Sequence, residues 1–172
     1  MKLKDLPIAI GVFILFLTIP TAVYLSTQPE SLQTLTKAGQ EESAVIYLWP
    51  AKLETNLDSQ FEITITLASP EQEVKEAHAV INYDPKMLDV VEIKKGPILG
   101  SYEKRNIETG KGQIEIAAQG NFQGSGTLGS IVFIPKKTGN TNLNLIKSGS
   151  KVLEAGGANI LQGVNGTTVT IK

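Results

Sequence analysis

Residues 77–93 read AHAVINYDPKMLDVVEI, and this stretch sets the architecture. Ala79, Ile81 and Tyr83 alternate with Val80 and Asn82, the two-residue period of a strand with one face turned inward. Asp84-Pro85 ends that strand, because proline has no N–H to give a ladder and its φ is fixed. The Asp84 carboxylate is placed to accept backbone N–H groups of the next turn. Pro85 takes the first turn position and Leu88 folds back onto the core. Leu88, Val90, Val91 and Ile93 open the following strand. Tyr83, Asp84 and Pro85 therefore read as a structural corner. A calcium ligand is the competing role for Asp84, but no spaced set of carboxylates accompanies it.

Outward from this corner the alternation continues. Val45 to Trp49 forms a first strand, closed by Pro50. Phe61, Ile63, Ile65 and Leu67 alternate with Glu62, Thr64 and Thr66, the clearest half-buried strand in the chain, and Ser69-Pro70 is expected to end it. A third strand covers Val74 to Tyr83. Beyond the corner, Gly96-Pro97 and Gly100 mark a loop before Tyr102 to Ile107. Ile114, Ile116 and Ala118 alternate after the Gly110–Gly112 break. The stretch from Gly120 to Gly126 reads as a long turn before Leu128 to Pro135. Leu143 and Leu145, a short run through Ile160, and a last strand through Val169 and Ile171 complete the series. About nine short strands with turn signals every 8–12 residues or so, uninterrupted by any useful amphipathic helix, imply an all-β two-sheet sandwich or a barrel.

Composition removes several function classes. From Ala44 onward 13 Lys+Arg balance 13 Asp+Glu, so this part is neutral and carries no electrostatic footprint for nucleic acid. The absence of cysteine excludes disulfides, a cysteine nucleophile and thiolate metal sites. His78 is the single histidine, which leaves little material for a metal centre or for His-based catalysis. No Gly-x-Ser-x-Gly elbow, His–carboxylate grouping or phosphate loop is present, so the expectation is a non-enzyme without metal or cofactor.

The N-terminus has a different character. Residues 1–6 form a short flank carrying Lys2 and Lys4, and Pro7 to Leu25 is an uncharged apolar run of 19 residues. As a helix this run would span about 28 Å, close to a bilayer core. The basic flank places the N-terminus in the cytoplasm and the remainder outside. A cleaved signal peptide is the rival reading; the run is long for that class and no clean small-x-small site follows it. Residues 26–43 (STQPESLQTLTKAGQEES) are polar and without periodicity, as in a flexible tether. The domain proper is 44–172.

Over most of residues 44–172 the ordered features resemble the cohesin family, the receptor modules by which scaffolding proteins hold dockerin-bearing enzymes. The carrying residues are Phe61-x-Ile63-x-Ile65 after the polar turn Asp58-Ser59-Gln60, and Tyr83-Asp84-Pro85-x-x-Leu88 with the apolar strand and Gly96 that follow. Gly110-Lys111-Gly112-Gln113-Ile114, Gly126-x-Leu128-x-x-Ile131-x-Phe133 and the terminal Gly166 and Val169 complete the set. The sequence departs from the family pattern at Ala77 and Ala79, where bulkier inward residues are usual. The resemblance implies a nine-stranded antiparallel jelly-roll β-sandwich, here preceded by one N-terminal transmembrane helix. It also implies that the work is non-covalent attachment of a protein partner, dockerin-bearing in type.

In this family the partner lies on one flat sheet face, built from the third, fifth, sixth and eighth strands. Transferred position by position, the outward residues are Glu76, His78, Val80 and Asn82 on the third, Gln113, Glu115, Ala117 and Gln119 on the sixth, and Asn142 and Asn144 on the eighth. Such a face mixes small apolar and amide groups with one His and two carboxylates, which suits docking by shape and hydrogen bonds. The alternative function is a carbohydrate-binding or adhesive surface module of the same fold, with a polysaccharide as partner. That reading needs exposed planar rings. Tyr47, Trp49, Phe61, Tyr83, Tyr102, Phe122 and Phe133 fall mostly at core or strand-end positions, so no aromatic row is expected, with Phe122 and Tyr102 as exceptions. A structural envelope module without a specific ligand is a third reading.

Overall fold

The structure, a computed structural model, describes residues 44–108 and 111–172, and for residues 102–108 the backbone and its pairing. The apolar run 7–25 and the tether 26–43 lie outside the described residues.

Ten strands follow in chain order: β1 Ala44–Trp49, β2 Lys52–Thr55, β3 Phe61–Asn82, β4 Leu88–Lys95, β5 Ser101–Glu108, β6 Gln113–Pro135, β7 Gly139–Leu145, β8 Lys151–Glu154, β9 Leu161–Asn165 and β10 Thr167–Ile171. A 3₁₀ turn, Lys147–Gly149, lies between β7 and β8.

Two long strands, β3 and β6, carry the fold. They pair antiparallel from Phe61↔Phe133 at one end to Asn82↔Gln113 at the other. Expected breaks at Pro70 and across Gly120–Gly126 are instead passages within continuous strands. Register shifts between Ile65 and Thr66, Ser69 and Val74, and Val74 and Glu76 bend the ribbon where a straight ladder would stop. Pro70 sits exposed in the shifted stretch, where no ladder partner needs its missing N–H. Gln123 closes this bend by donating Nε2–H to the carbonyls of Pro70 and Glu71.

The bend divides the ribbon between two layers. The first halves of β3 and the second halves of β6 carry β1 and β4 on their flanks, with β9 beyond β1. The other halves carry β5 on one side and β7 and β8 on the other, with β10 and β2 beyond β7. The count is ten rather than nine, and two pairings, β1 with β9 and β10 with β2, are parallel rather than antiparallel. The sheet edges β2 and β9 do not pair with each other, so the ladder is open and not a closed barrel.

Inward residues of both layers make one core. Ile46, Leu48, Ile63, Ile65 and Leu67 come from the first layer, and Ala77, Ala79, Ile81, Ile114, Ile116 and Leu143 from the second. Phe133 is fully buried, with Phe61 stacked on it at 5.5 Å and Tyr83 edge-on at 5.8 Å between centroids. Burial pushes the Tyr83 hydroxyl above its ordinary pKa, helped by the negative charge of Asp89.

The corner after β3 is built by hydrogen bonds. Asp84 Oδ1 accepts from Lys86 N–H at 2.8 Å, and the Asp84 carbonyl accepts from Met87 and Leu88 N–H at 3.0 Å each. Tyr83 N–H donates to the Gly112 carbonyl at 2.8 Å. Gly112 has φ +62°, and a Cβ there would stand 2.3 Å from the Tyr83 carbonyl oxygen, so only glycine fits.

Candidate functional site

The second layer exposes one face, and register decides which side chains share it. Ala77, Ala79 and Ile81 are fully buried, which leaves Glu76 and His78 half-buried and Asn82 exposed on the opposite side of β3. On β6, Ile114, Ile116 and Ala118 are buried, leaving Gln113, Glu115 and Ala117 half-buried and Gln119 exposed. The two sets meet in order as Glu76↔Gln119, His78↔Ala117 and Asn82↔Gln113. On β7, Leu143 and Leu145 point inward while Asn142 and Asn144 are exposed; Asn144 is opposite Asn82. Asn142, two residues back on β7, is opposite Thr168 of β10, and its Oδ1 accepts from Thr168 Oγ1 at 3.0 Å.

Val80 departs from the expected set. It is 4% exposed although it alternates with the core residues. The cause is the segment between β7 and β8. Ile146 N–H donates to the Val80 carbonyl at 2.8 Å, and Val80 N–H donates to Ser150 Oγ at 3.0 Å. The 3₁₀ turn Lys147–Gly149 is thereby laid over Val80 as an exposed ridge. The flat face expected from the sequence is a face with a step. The family's eighth strand is represented by two strands, β7 against Ile81–Asn82 and β8 against Val74–His78.

β8 also supplies a residue absent from the expected set. Lys151, in register with His78, places its Nζ 2.6 Å from Glu76 Oε1. His78 Nε2 lies 3.9 Å from Glu115 Oε2. Exposed pairs of this kind add little stability but fix where charge lies on the face. The signal for Lys151 was hidden because Ser148-Gly149-Ser150 reads as a loop in which no strand start is marked. At the corner side, Asn82, Asp84, Asn140, Asn142 and Asn144 line a shallow polar depression over Tyr83 and Thr141. Among the described residues no group of three or more His, Asp or Glu is arranged to hold a metal ion.

The family model for the cohesin domain matches residues 50–171. The chain belongs to the cohesin family. No curated protein sequence matches it. Solved cohesins share the fold at low identity. A Clostridium acetobutylicum cohesin solved in complex with CaDoc0917 gives a TM-score of 0.68 at 15% identity, covering 76% of this chain and 100% of that one. The third cohesin of ScaC from Acetivibrio cellulolyticus, solved in complex with the ScaB dockerin, gives 0.66 at 14%, covering 74% and 98%. A non-cellulosomal cohesin from the archaeon Archaeoglobus fulgidus gives 0.63 at 16%, covering 76% and 91%. Within this cohesin domain, nine of the ten positions transferred from the family pattern are at least partly accessible on one side of β3, β6 and β7; Val80 is the exception.

Proposed function

We propose that this cohesin domain is a non-catalytic receptor that binds a dockerin-type protein on the exposed face of β7, β8, β3, β6 and β5. The observation that carries the reading is the centre of that face. His78 and Ala117 are adjacent in register, with Lys151 beside His78 and with Glu76, Gln119 and Glu115 at the diagonal positions, a mixed polar surface around one small residue. Around them, Lys151 Nζ lies against Glu76 Oε1 and His78 Nε2 lies 3.9 Å from Glu115 Oε2, which offers a partner both acidic and basic contacts. The solved relatives in dockerin complexes support a partner of that class. The Lys147–Gly149 ridge stands between β7 and β8 beside Val80 and narrows the partners whose shape fits.

The uncharged run 7–25 behind a flank with Lys2 and Lys4 supports display outside the cell on a membrane anchor. The 26–43 tether would then hold the domain off the surface. The test is capture by the full chain of dockerin-bearing proteins from the same cell, in parallel with a His78→Arg/Asn82→Arg variant. Capture by the wild type and loss in the variant support the reading. Capture of the same protein by both overturns the assigned face. Release of the chain from membranes by salt alone would overturn the anchor.

A further inference from the structure

The largest exposed apolar side chain lies on the other layer. Trp49 is 62% exposed, and it stands on the outward side of β1 with half-buried Tyr47, because Ile46 and Leu48 take the inward positions. Two residues along a strand separate the side chains by about 7 Å. Trp49 ends β1 as the sequence placed it, but it is exposed and shares its side with Tyr47; Phe122, the expected exception, packs in part against the core, and the Tyr102 side chain lies outside the described residues.

Register arranges polar groups beside both rings. Across the sheet from Trp49 come Thr64, then Ser130, then Lys94. Tyr47 has Thr66 on one side and exposed Asn165 on the other. The charged groups of this face, Glu62, Glu92 and Lys94, are gathered away from β9 on β3 and β4, where Lys94 Nζ lies 2.6 Å from Glu62 Oε2. Beside the two rings the face thus offers the Thr64 and Thr66 hydroxyls and the Asn165 amide, with no charged residue directly in register on the strands flanking β1.

We infer that this face is a second binding surface, for a neutral, extended β-linked polysaccharide of the glucan type. A pyranose with equatorial hydroxyls has an apolar C–H face and a hydroxyl rim. The first stacks on an exposed indole and phenol ring, and the second needs donors and acceptors of the kind that Thr64, Thr66 and Asn165 supply. Two rings in line along one strand suit an extended chain over a single sugar. A protein hot spot would instead want an apolar surround that excludes water, and hydroxyls occupy those positions here.

Trp49 is the only tryptophan of the chain, so its emission reports on this face alone. The full chain, held in a detergent without a sugar headgroup, is titrated with cellohexaose and run through native gels containing hydroxyethylcellulose. The expected result is a saturable shift of Trp49 emission and retarded migration. Trp49→Ala and Tyr47→Ala should each weaken retardation at least ten-fold, while Ala117→Arg on the other layer retains it. Circular dichroism melts of the variants confirm folding. An unshifted emission with unretarded migration of the wild type overturns the inference. So does wild-type retardation of Trp49→Ala, or loss of retardation in Ala117→Arg.

Discussion

Gly149 lies directly against Val80: a Cβ built on Gly149 would stand 3.2 Å from Val80 Cγ2. This contact turns an outward strand position into a buried one and raises a ridge beside the proposed docking surface. It also separates two roles that alternate along the same strand. Val80 holds the ridge down, and its neighbours His78 and Asn82 remain accessible.

Val80→Ala should lower stability by about 1–3 kcal/mol, as the loss of two methyl groups opens a void under the ridge. Partner capture by the folded fraction should persist. The His78→Arg/Asn82→Arg variant should do the opposite, leaving stability within about 0.5 kcal/mol per site and removing capture. Urea unfolding and a binding assay on the same preparations check both. Equal melting points for Val80→Ala and wild type would refute the buried role.

The corner gives a graded series. Asp84→Ala removes the carboxylate that accepts Lys86 N–H and should cost about 1 kcal/mol, with Asp84→Asn recovering most of it. Gly112→Ala should cost more, because its Cβ would sit 2.3 Å from a backbone oxygen at a φ of +62°. An alanine at position 112 that unfolds no earlier than Asp84→Ala would show the corner to be looser than described.

Stability should depend on pH through Glu62. Hydrogen bonds from Lys94 and then Ser130 hold its carboxyl below the ordinary carboxylate pKa. A depressed folded pKa stabilises at pH above the unfolded value, about 4.3 for Glu, and that contribution disappears as pH falls through the folded value. Lys94, raised chiefly by its hydrogen bond to Glu62, contributes below the ordinary lysine pKa and loses its contribution as pH rises through the folded one. Glu62→Gln should therefore flatten both ends of the stability profile. The pair is substantially exposed, so the effect is small and shrinks with salt. Thermal melts from pH 3 to 11 at two ionic strengths read it; an acid limb unchanged by the substitution contradicts the assignment.

Much of this fold was legible because period-two alternation is a direct imprint of one-sided burial. Ile63, Ile65 and Leu67, and Ile114, Ile116 and Ala118, are buried where alternation placed them. The corner was legible because Asp84-Pro85 has few other conformations. The continuity of β3 and β6 was not. Pro70 and the glycines from 120 to 126 are strand breakers locally, and only pairing between residues some 50 apart, as in Gln123 with Pro70, keeps the chain extended through them. Val80 was misread for the same reason: what buries it arrives from Ile146 to Ser150, and strand period carries no information about a distant loop. Trp49 is the strand-end residue that the sequence marks; its exposure beside Tyr47 depends on which neighbours β3 and β9 bring to that side of β1.

The central claim is that a protein partner docks on the His78–Ala117 face. Calorimetric titration of the full chain with each dockerin-bearing protein of the same cell tests it most directly, repeated with the His78→Arg/Asn82→Arg variant. The account predicts one-to-one binding by at least one of them and at least hundred-fold weaker binding by the variant. Binding of equal strength by both chains, or heat from none of the proteins, would contradict it.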